Sequence, residues 1–373
     1  MWIRALRLTD FRNYERLELE LEEGLNFFTG PNGSGKTSIL EAVSYLAVAR
    51  SLRGATDAEI VRWGSSSFGV GGDIVADGSV RSSTLRFTRG GKKEVTLDGE
   101  KQALLSDLVG VLRVAWFCPE DTWLTKGGPS ERRKLLDMTL CQLDPAYLDA
   151  LSNYRRTLRQ RNEALLSWTP DDESEALVGV WSDRLLHYGS KVTAGRMRLL
   201  PRFAEAVAGF HRSISGSDAL SLRYRSTAGG DAASGDEPPT EDKVRSCFAD
   251  SLKRVAADER RRGFTLIGPH RDDLEVRLGE RPLRTFGSQG QHRTAAIALK
   301  LGEAAVLDSD GRGVVVLLDD IMSELDDQRA ASLLELVGDL GQALMTSTRD
   351  APAVAASHRS KSFVVEAGGV KPQ

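Results

Sequence analysis

Cysteine is scarce in this chain of 373 residues, and so are long apolar runs. The three cysteines, Cys118, Cys141 and Cys247, are an odd number without CxxC spacing, which argues against a disulfide framework or a cysteine-rich zinc site. The longest aliphatic run covers only residues 314–318, whereas a membrane-spanning helix needs about 20 apolar residues. The opening sequence MWIRALRL lacks the apolar segment of a secretory signal. We therefore expect a cytoplasmic protein.

An excess of one charge sign is also missing. Lysine and arginine total 50 against 53 aspartates and glutamates, a net charge of −3. This balance does not exclude nucleic acid as a partner, because binding depends on how charge is distributed over the surface. Hydrophobic residues at 40% and charged residues at 28% are ordinary for a globular protein and argue against general disorder.

Apolar periodicity predicts an α/β fold interrupted by helices. Leu17, Leu19 and Leu21 alternate with glutamates, as in a half-buried strand, and residues 25–29 form a short apolar strand before a glycine-rich loop and a helix. Further helices are predicted over about 130–168, 174–211, 241–262, 288–304 and 328–340, and further strands within 264–278, 314–318 and 343–345.

This order predicts an α/β head interrupted by an inserted lobe. We expect residues 1–121 and 264–373 to form the α/β head and residues 122–263 to form a mostly helical insertion, with no long coiled coil. The helix over about 288–304 would reach from the head towards the insertion. Residues 226–242 are rich in Gly, Ser, Asp and Pro, which predicts a flexible surface loop.

The strongest local motif is a phosphate-binding loop between the strand and the helix. Glycines let the backbone wrap around phosphate oxygens, and the following helix N-terminus presents further N–H groups. In such a loop Lys36 would reach the β- and γ-phosphates and Thr37 would bind Mg²⁺. No guanine-reading NKxD motif is visible, which favours ATP. The predicted ATP-binding residues are Gly30, Pro31, Asn32, Gly33, Ser34, Gly35, Lys36, Thr37 and Ser38.

Two carboxylates follow the apolar run 314–318. A strand buried on both faces that ends in Asp319 and Asp320 places these groups where an open parallel sheet binds its ligand. We expect Asp319 to hold Mg²⁺ and Asp320 to act as the catalytic group that orients or deprotonates the attacking water. Read alone, the pair could equally be a buried strand followed by a helix cap.

A second glycine-containing turn, FGSQGQHR at 286–293, precedes another predicted helix. Its serine could be an ordinary N-cap, and nothing in this stretch alone places it beside the phosphate loop. His270 and His292 have no partner at metal-ligand spacing, so we assign no metal to either.

Together these motifs resemble the ABC-type ATPase heads of recombination and chromosome-maintenance proteins, and most closely the RecF family of bacterial recombination mediators. The resemblance covers nearly the whole chain. It rests on FRNYERLEL, GPNGSGKTSILEAV, ARSLRG, FCPEDTWLTKGGPSERRKLLD, GPHRDDL, GSQGQHR and LLDDIMSELD.

The resemblance implies roles at matching positions. Ser288, Gly290 and Gln291 look like the signature that contacts the γ-phosphate held by a second protomer. Asp326 matches the loop at the dimer seam. Thr346 stands where transporter heads place a switch histidine, and is a possible switch here. Glu120 or Asp121 would take the place of the transporter glutamine loop, and Arg50 and Arg53 would either couple nucleotide to DNA or be solvated surface groups.

Family membership also implies partners and an activity. The expected activity is a weak, DNA-stimulated ATPase that dimerises on DNA with ATP and Mg²⁺. It would act with RecO and RecR to load RecA at gapped DNA, with no membrane partner. Clustered arginines permit sequence-independent contact with duplex phosphates, although each cluster could instead be a solvated helix face. The DNA-contact candidates are Arg132, Arg133, Arg155, Arg156, Arg159 and Arg261.

The phosphate loop is also compatible with two other functions. The energy-coupling subunit of an ABC transporter would share the phosphate loop, but the strand-rich start and the long insertion disfavour it. A nucleotide-switched scaffold that does not hydrolyse ATP is the third possibility, and the presence of Asp320 argues against it.

Overall fold

The computed structural model describes residues 1–216, 220–228, 230–233, 237–324, 327–348 and 359–373. The strands are β1 Trp2–Phe11, β2 Tyr14–Glu20, β3 Leu25–Thr29, β4 Ser67–Ala76, β5 Ser79–Thr88, β6 Glu94–Leu97, β7 Glu100–Lys101, β8 Val114–Phe117, β9 Leu220–Arg225, β10 Ala232–Ala233, β11 Asp273–Leu278, β12 Arg281–Pro282, β13 Val315–Asp319, β14 Ala343–Ser347, β15 Ser360–Glu366 and β16 Gly369–Pro372. The helices are α1 Lys36–Val48, α2 Asp57–Ile60, α3 Trp123–Lys126, α4 Pro129–Leu143, α5 Pro145–Leu166, α6 Asp172–Ser215, α7 Glu241–Arg262, α8 Leu283–Phe286, α9 Gln289–Leu307 and α10 Asp327–Leu340.

The chain divides into two compact units. The first contains Met1–Asp121 and Leu299–Gln373, and the second contains Thr122–Ala298. The sequence-based division placed residues 264–373 in the head, and the structure corrects this boundary: residues 264–298 belong to the second unit. The reason is pairing within that unit, since β11 forms an antiparallel ladder with β9 from Asp273↔Arg225 to Leu278↔Leu220.

A mostly parallel six-stranded sheet carries the functional end of the first unit. Its strand order is β16-β15-β3-β14-β13-β8, and only the β15–β16 pair is antiparallel. β3 and β13 are buried along their whole length, as expected for strands covered on both faces. Because neighbouring parallel strands end at the same edge, β3, β13 and β14 bring the phosphate loop, Asp319 and Thr346 to one side of the sheet.

The first unit also has an antiparallel sheet, ordered β2-β1-β4-β5-β6-β7. In β2 the predicted alternation holds: Leu17 and Leu19 are buried and Glu18 and Glu20 are exposed. The region between residues 67 and 97, for which the sequence pattern predicted no strand, supplies three members of this sheet.

The second unit is mostly helical, as predicted, and also contains a small sheet. Its four strands are ordered β10-β9-β11-β12, and β10 lies within the stretch predicted as a loop. α6 is 44 residues long and contains Pro201. None of the helices in the described parts of the chain has both the length and the apolar character to cross a membrane.

Candidate active site

A cleft of 840 Å³ opens at the carboxyl edge of the parallel sheet in the first unit. It is lined by the phosphate loop and the start of α1, by residues 12–13 after β1, by a segment within 53–63, and by Asp319, Asp320 and Thr346. Sites for small molecules usually have volumes of about 300–1,000 Å³. The structure thus brings the predicted catalytic, metal and switch residues together with the phosphate loop.

The phosphate loop has its shape because its three glycines, Gly30, Gly33 and Gly35, have positive φ angles that other residues rarely adopt. Gly35 has φ +112 and caps α1, and a Cβ there would overlap the side chains of Asn13 and Tyr14. Asn13 Nδ2 donates to the Ser34 carbonyl at 3.0 Å, and the Tyr14 hydroxyl donates to the Gly35 carbonyl at 3.2 Å. Gly30 has φ +151, and a Cβ there would overlap the Val365 carbonyl. The loop is therefore braced by the turn that follows β1.

Lys36 lies inside this loop with its amine bound to the backbone. Its side chain donates to the carbonyls of Gly30 at 2.7 Å and Pro31 at 2.8 Å, and only 7% of the residue is exposed. Burial lowers the pKa of the amine, and the carboxylates of Asp320 and Asp319 oppose that shift. The loop therefore holds one cation next to the N–H groups of the α1 N-terminus, an arrangement that favours anions.

Three hydroxyl and carboxylate groups meet at the end of β13. The Thr37 hydroxyl donates to Asp319 Oδ1 at 2.7 Å, and the Thr346 hydroxyl donates to the same oxygen at 2.9 Å. The Asp320 N–H donates to the Thr346 hydroxyl at 3.0 Å. Asp320 itself has φ +53, so its backbone turns sharply away from the strand. Thr346 thus fixes both acidic residues, a role that the sequence did not predict.

Arg12, which is partly exposed beside the cleft, forms an ion pair with the buried Glu41 that the sequence did not predict. Arg12 donates to both carboxylate oxygens of Glu41, at 2.7 and 2.9 Å, and to the Glu59 carbonyl at 3.1 Å. The Ser51 hydroxyl also donates to Glu41. The hydrogen bonds from Arg12 to Glu41 raise the pKa of the guanidinium. The sequence did contain a signal for this pair, since a glutamate stands within the apolar pattern of α1. A carboxylate buried at such a position needs a charged or hydrogen-bonding partner.

The predicted signature residues lie in the second unit, at the start of α9. Ser288 and Gln291 form a reciprocal cap: the Ser288 N–H donates to Gln291 Oε1 at 2.8 Å, and the Gln291 N–H donates to Ser288 Oγ at 3.3 Å. Both residues are exposed. Asp326, predicted at the dimer seam, lies outside the described residues.

Asp121 makes a local backbone contact, and the glutamine-loop role expected for Glu120 or Asp121 stays a prediction. Its Oδ2 accepts from the Cys118 N–H at 2.8 Å, and burial raises the pKa of its carboxyl group. His270 is likewise bound within the protein, with its Nδ1 2.6 Å from the Tyr154 hydroxyl.

Two of the predicted DNA-contact arginines are hydrogen-bonded to other residues within the second unit. Arg132 is 3% exposed and pairs with both Asp273 oxygens at 2.8 and 2.9 Å, so its assignment to DNA was wrong. Arg133 is half-buried and donates to the Asp272 carbonyl at 2.7 Å, and burial lowers the pKa of its guanidinium. Both side chains therefore bind residues 272–273, where β11 begins.

The other candidates face solvent. Arg155, Arg156 and Arg159 are exposed on α5, where their spacing places them on neighbouring turns. Arg155 also lies 3.2 Å from Asp137. Arg261 is exposed at the end of α7 and pairs with Asp258 at 2.5 Å.

Comparison with known proteins agrees with the geometry. The family model described as "RecF/RecN/SMC N terminal domain" matches residues 2–370. A protein of Acidothermus cellulolyticus described as "DNA replication and repair protein RecF" is 39% identical over 355 residues, covering 94% of this chain and 95% of its own length. A protein of Exiguobacterium sp. with the same description is 35% identical and matches over the full length of both chains.

Solved structures give the same result. The structure described as "recombination mediator protein RecF-ATP in RecFOR pathway" superposes with a TM-score of 0.90 at 30% identity, covering all of this chain and 97% of the other. An Smc head bound to the C-terminal winged-helix domain of ScpA superposes with a TM-score of 0.56 at 16% identity, covering 100% of this chain and 97% of the other, which supports the head fold alone.

Proposed function

The chain belongs to the RecF family, and we propose that it is a recombination mediator that binds and hydrolyses ATP, dimerises in its ATP-bound state and engages DNA. By the same membership we propose that it acts in the cytoplasm with RecO and RecR to help load RecA at gapped DNA. The energy-coupling role in an ABC transporter is not favoured, because the full-length relatives are RecF proteins.

The observation that carries the proposal is the contact between the phosphate loop and the end of β13. Thr37 and Asp319 present a hydroxyl and a carboxylate oxygen 2.7 Å apart, beside Lys36 and the α1 N-terminus. Magnesium in phosphate-transfer sites is held by one or two such protein oxygens together with phosphate oxygens and water. The donor set therefore fits Mg²⁺, which when bound would neutralise charge on the β- and γ-phosphates.

The protein's own groups have separate tasks in hydrolysis. The N–H groups of the loop and of the first turn of α1 bind phosphate oxygens. Lys36 exchanges the carbonyls of Gly30 and Pro31 for the β/γ-phosphates, which compensate its charge more fully than neutral carbonyls do. Asp320 orients the attacking water, and accepts its proton, from a backbone position fixed by Thr346.

We propose that the second half of each site comes from a partner protomer. Among the described residues, a Cβ at Gly290 would meet no atom within 4 Å. A glycine in a helix costs about 0.5–1 kcal/mol relative to alanine, so the fold of the protomer gives no reason for glycine here. Close approach of a nucleotide held by a second chain to the N-terminus of α9 would explain why a glycine stands here. Ser288 and Gln291 lie exposed on either side of it.

For DNA we propose contact through the exposed arginines Arg155, Arg156, Arg159 and Arg261. Few aromatic residues accompany them, so the contact would be with phosphates and independent of base sequence.

Binding and hydrolysis can be separated with two substitutions. Lys36→Ala removes the cation, and we expect ATP affinity to fall at least about tenfold, since a charge-assisted hydrogen bond contributes about 1.5–3 kcal/mol. Asp320→Asn leaves the phosphate loop intact, so ATP should bind normally while hydrolysis falls by about 10²–10⁴-fold. Lys92→Ala, at an exposed lysine, is the matched control. Calorimetry and phosphate release measure the two properties. Normal turnover in Lys36→Ala would remove the phosphate-loop assignment.

A further inference from the structure

Trp63 is the most exposed of the large hydrophobic side chains in the described residues. It is 97% exposed, although tryptophan is on average a highly buried residue type. It also lines the cleft that contains Lys36 and Asp319. A large apolar ring that the fold leaves in water beside a phosphate site is suited to contact a ligand rather than the protein core.

The backbone around Trp63 is held firmly. The Ser65 N–H donates to the Arg62 carbonyl at 3.0 Å and Gly64 has φ +89, so Trp63 lies at the tip of a tight turn. The turn is attached to the end of β1. The Arg62 N–H donates to the Asp10 carbonyl at 2.8 Å, and the Ser65 hydroxyl donates to Asp10 Oδ1 at 2.8 Å. A rigid aromatic side chain on a fixed turn offers contact area at a low entropy cost.

The rest of the cleft explains which part of a ligand would meet this ring. The loop around Lys36 binds phosphates, and Arg12 is already occupied by Glu41. Trp63 also lines a neighbouring depression of 630 Å³ together with Asp10, Ser65 and Arg89, so there is space next to the ring. A nucleoside triphosphate needs an apolar contact for its base, and base–aromatic stacking contributes about 1–3 kcal/mol per base.

We propose that Trp63 stacks on the base of the nucleotide bound in this cleft. The inference rests on the proposed nucleotide-binding function and adds the residue that holds the base. Because every base presents a π-face, stacking strengthens binding of purine nucleotides without selecting adenine over guanine. Discrimination between ATP and GTP therefore lies outside Trp63.

The test compares ATP, GTP and inorganic tripolyphosphate on the full chain by calorimetry. Trp63→Ala should weaken ATP and GTP binding by a similar factor of about 5–150-fold and leave tripolyphosphate binding unchanged. Trp63→Phe keeps the π-face and should bind ATP nearly as the parent protein does. Since the ring is exposed, neither substitution removes core packing. ATP should also quench tryptophan fluorescence in the parent protein more than in Trp63→Phe.

The outcomes separate this inference from the function on which it rests. Equal ATP affinity in the parent protein and Trp63→Ala overturns the stacking, and so does fluorescence quenching by single-stranded DNA but not by ATP. Equal loss of tripolyphosphate binding also overturns it, because the ring would then act on the phosphates. If the parent protein binds no ATP, the proposed function itself fails, and the parent protein and Lys36→Ala will show the same absence of ATP binding.

Discussion

Individual side chains in the cleft hold one another in place before a ligand arrives. The Thr346 hydroxyl donates to Asp319 Oδ1 and accepts from the Asp320 N–H, so a single oxygen positions both acidic groups. The phosphate loop and the two aspartates were predictable because each motif is contiguous in the sequence. The pair of Arg12 and Glu41 was not, because its members stand 29 residues apart and meet only after folding.

Thr346 is expected to position the acidic pair. Thr346→Val keeps the shape but removes both hydrogen bonds, so we expect the hydrolysis rate to fall about tenfold while ATP affinity changes little. Thr346→Ser retains the hydroxyl and should restore most of the rate. Single-turnover hydrolysis with a parallel binding measurement checks this. An equal rate in the valine and serine variants would show that the hydroxyl has no positioning role.

At the level of elements, two of the motifs shared with the family supply buried polar contacts within the second unit. Asp137, from the block that ends in RKLLD, accepts from Arg196 and from Tyr147, and Arg196 also donates to the Pro269 carbonyl within GPHRDDL. Arg161 pairs with the fully buried Glu259. The clustered arginines of the sequence suggested DNA contact, but several charged side chains in this unit instead form ion pairs within the protein.

The same elements show why some segments escaped prediction. β4 pairs with β1 through an antiparallel ladder whose partners are distant in sequence. β5 pairs with β4, and most of its residues are polar and exposed, so it lacks an apolar run. The segment 264–298 looked like a continuation of the head because it leads directly into the last α/β repeat. Its ladder with β9, some 50 residues earlier, is what assigns it to the second unit.

His270 predicts how this unit responds to acid. Burial lowers its pKa to about 4 from 6.5, so the folded state resists protonation that the unfolded state accepts. Its contribution to stability is complete above about pH 6.5 and is lost as the pH falls from 6.5 towards 4. His270→Gln should reduce the pH dependence of unfolding near pH 5 by up to about 1.4 kcal/mol per pH unit.

Denaturant unfolding of the full chain between pH 7 and pH 4 measures this effect. His187→Gln, at a partly exposed histidine, is the control and should keep the parent slope. Identical slopes for His270→Gln and the parent protein would contradict a partly buried imidazole that stays neutral in the folded state.

For the whole molecule, the resemblance predicted the family and the head fold correctly. The predicted DNA-contact surface was only partly right, because not all of its arginines are exposed. Arg156 and Arg159 are exposed on α5, but Arg132 is an interior group. Sequence clustering cannot distinguish these cases, since an arginine within a helix can point to either face.

Salt dependence tests the remaining DNA surface. Affinity for duplex DNA should fall linearly with log salt, with a slope of about −0.9 per phosphate contacted, and should depend little on base sequence. The double variant Arg156→Gln, Arg159→Gln should reduce that slope by up to about 1.8. The control is the double variant Arg16→Gln, Arg86→Gln, which removes two exposed arginines of the first unit. It makes the same charge change and should leave the salt slope unaltered. Strong preference for one sequence would exclude backbone-only contact.

The central claim is that each ATP is shared between the phosphate loop of one protomer and Ser288 of another. The most direct measurement is molar mass by light scattering, with and without ATP. The parent protein should shift from monomer to dimer with ATP. Ser288→Arg should bind ATP but stay monomeric, because a bulky cation occupies the seam. Ser106→Arg, at another exposed serine, should dimerise normally. An ATP-dependent dimer of Ser288→Arg as stable as that of the parent protein would contradict the shared site and leave Ser288 as the cap of α9 alone.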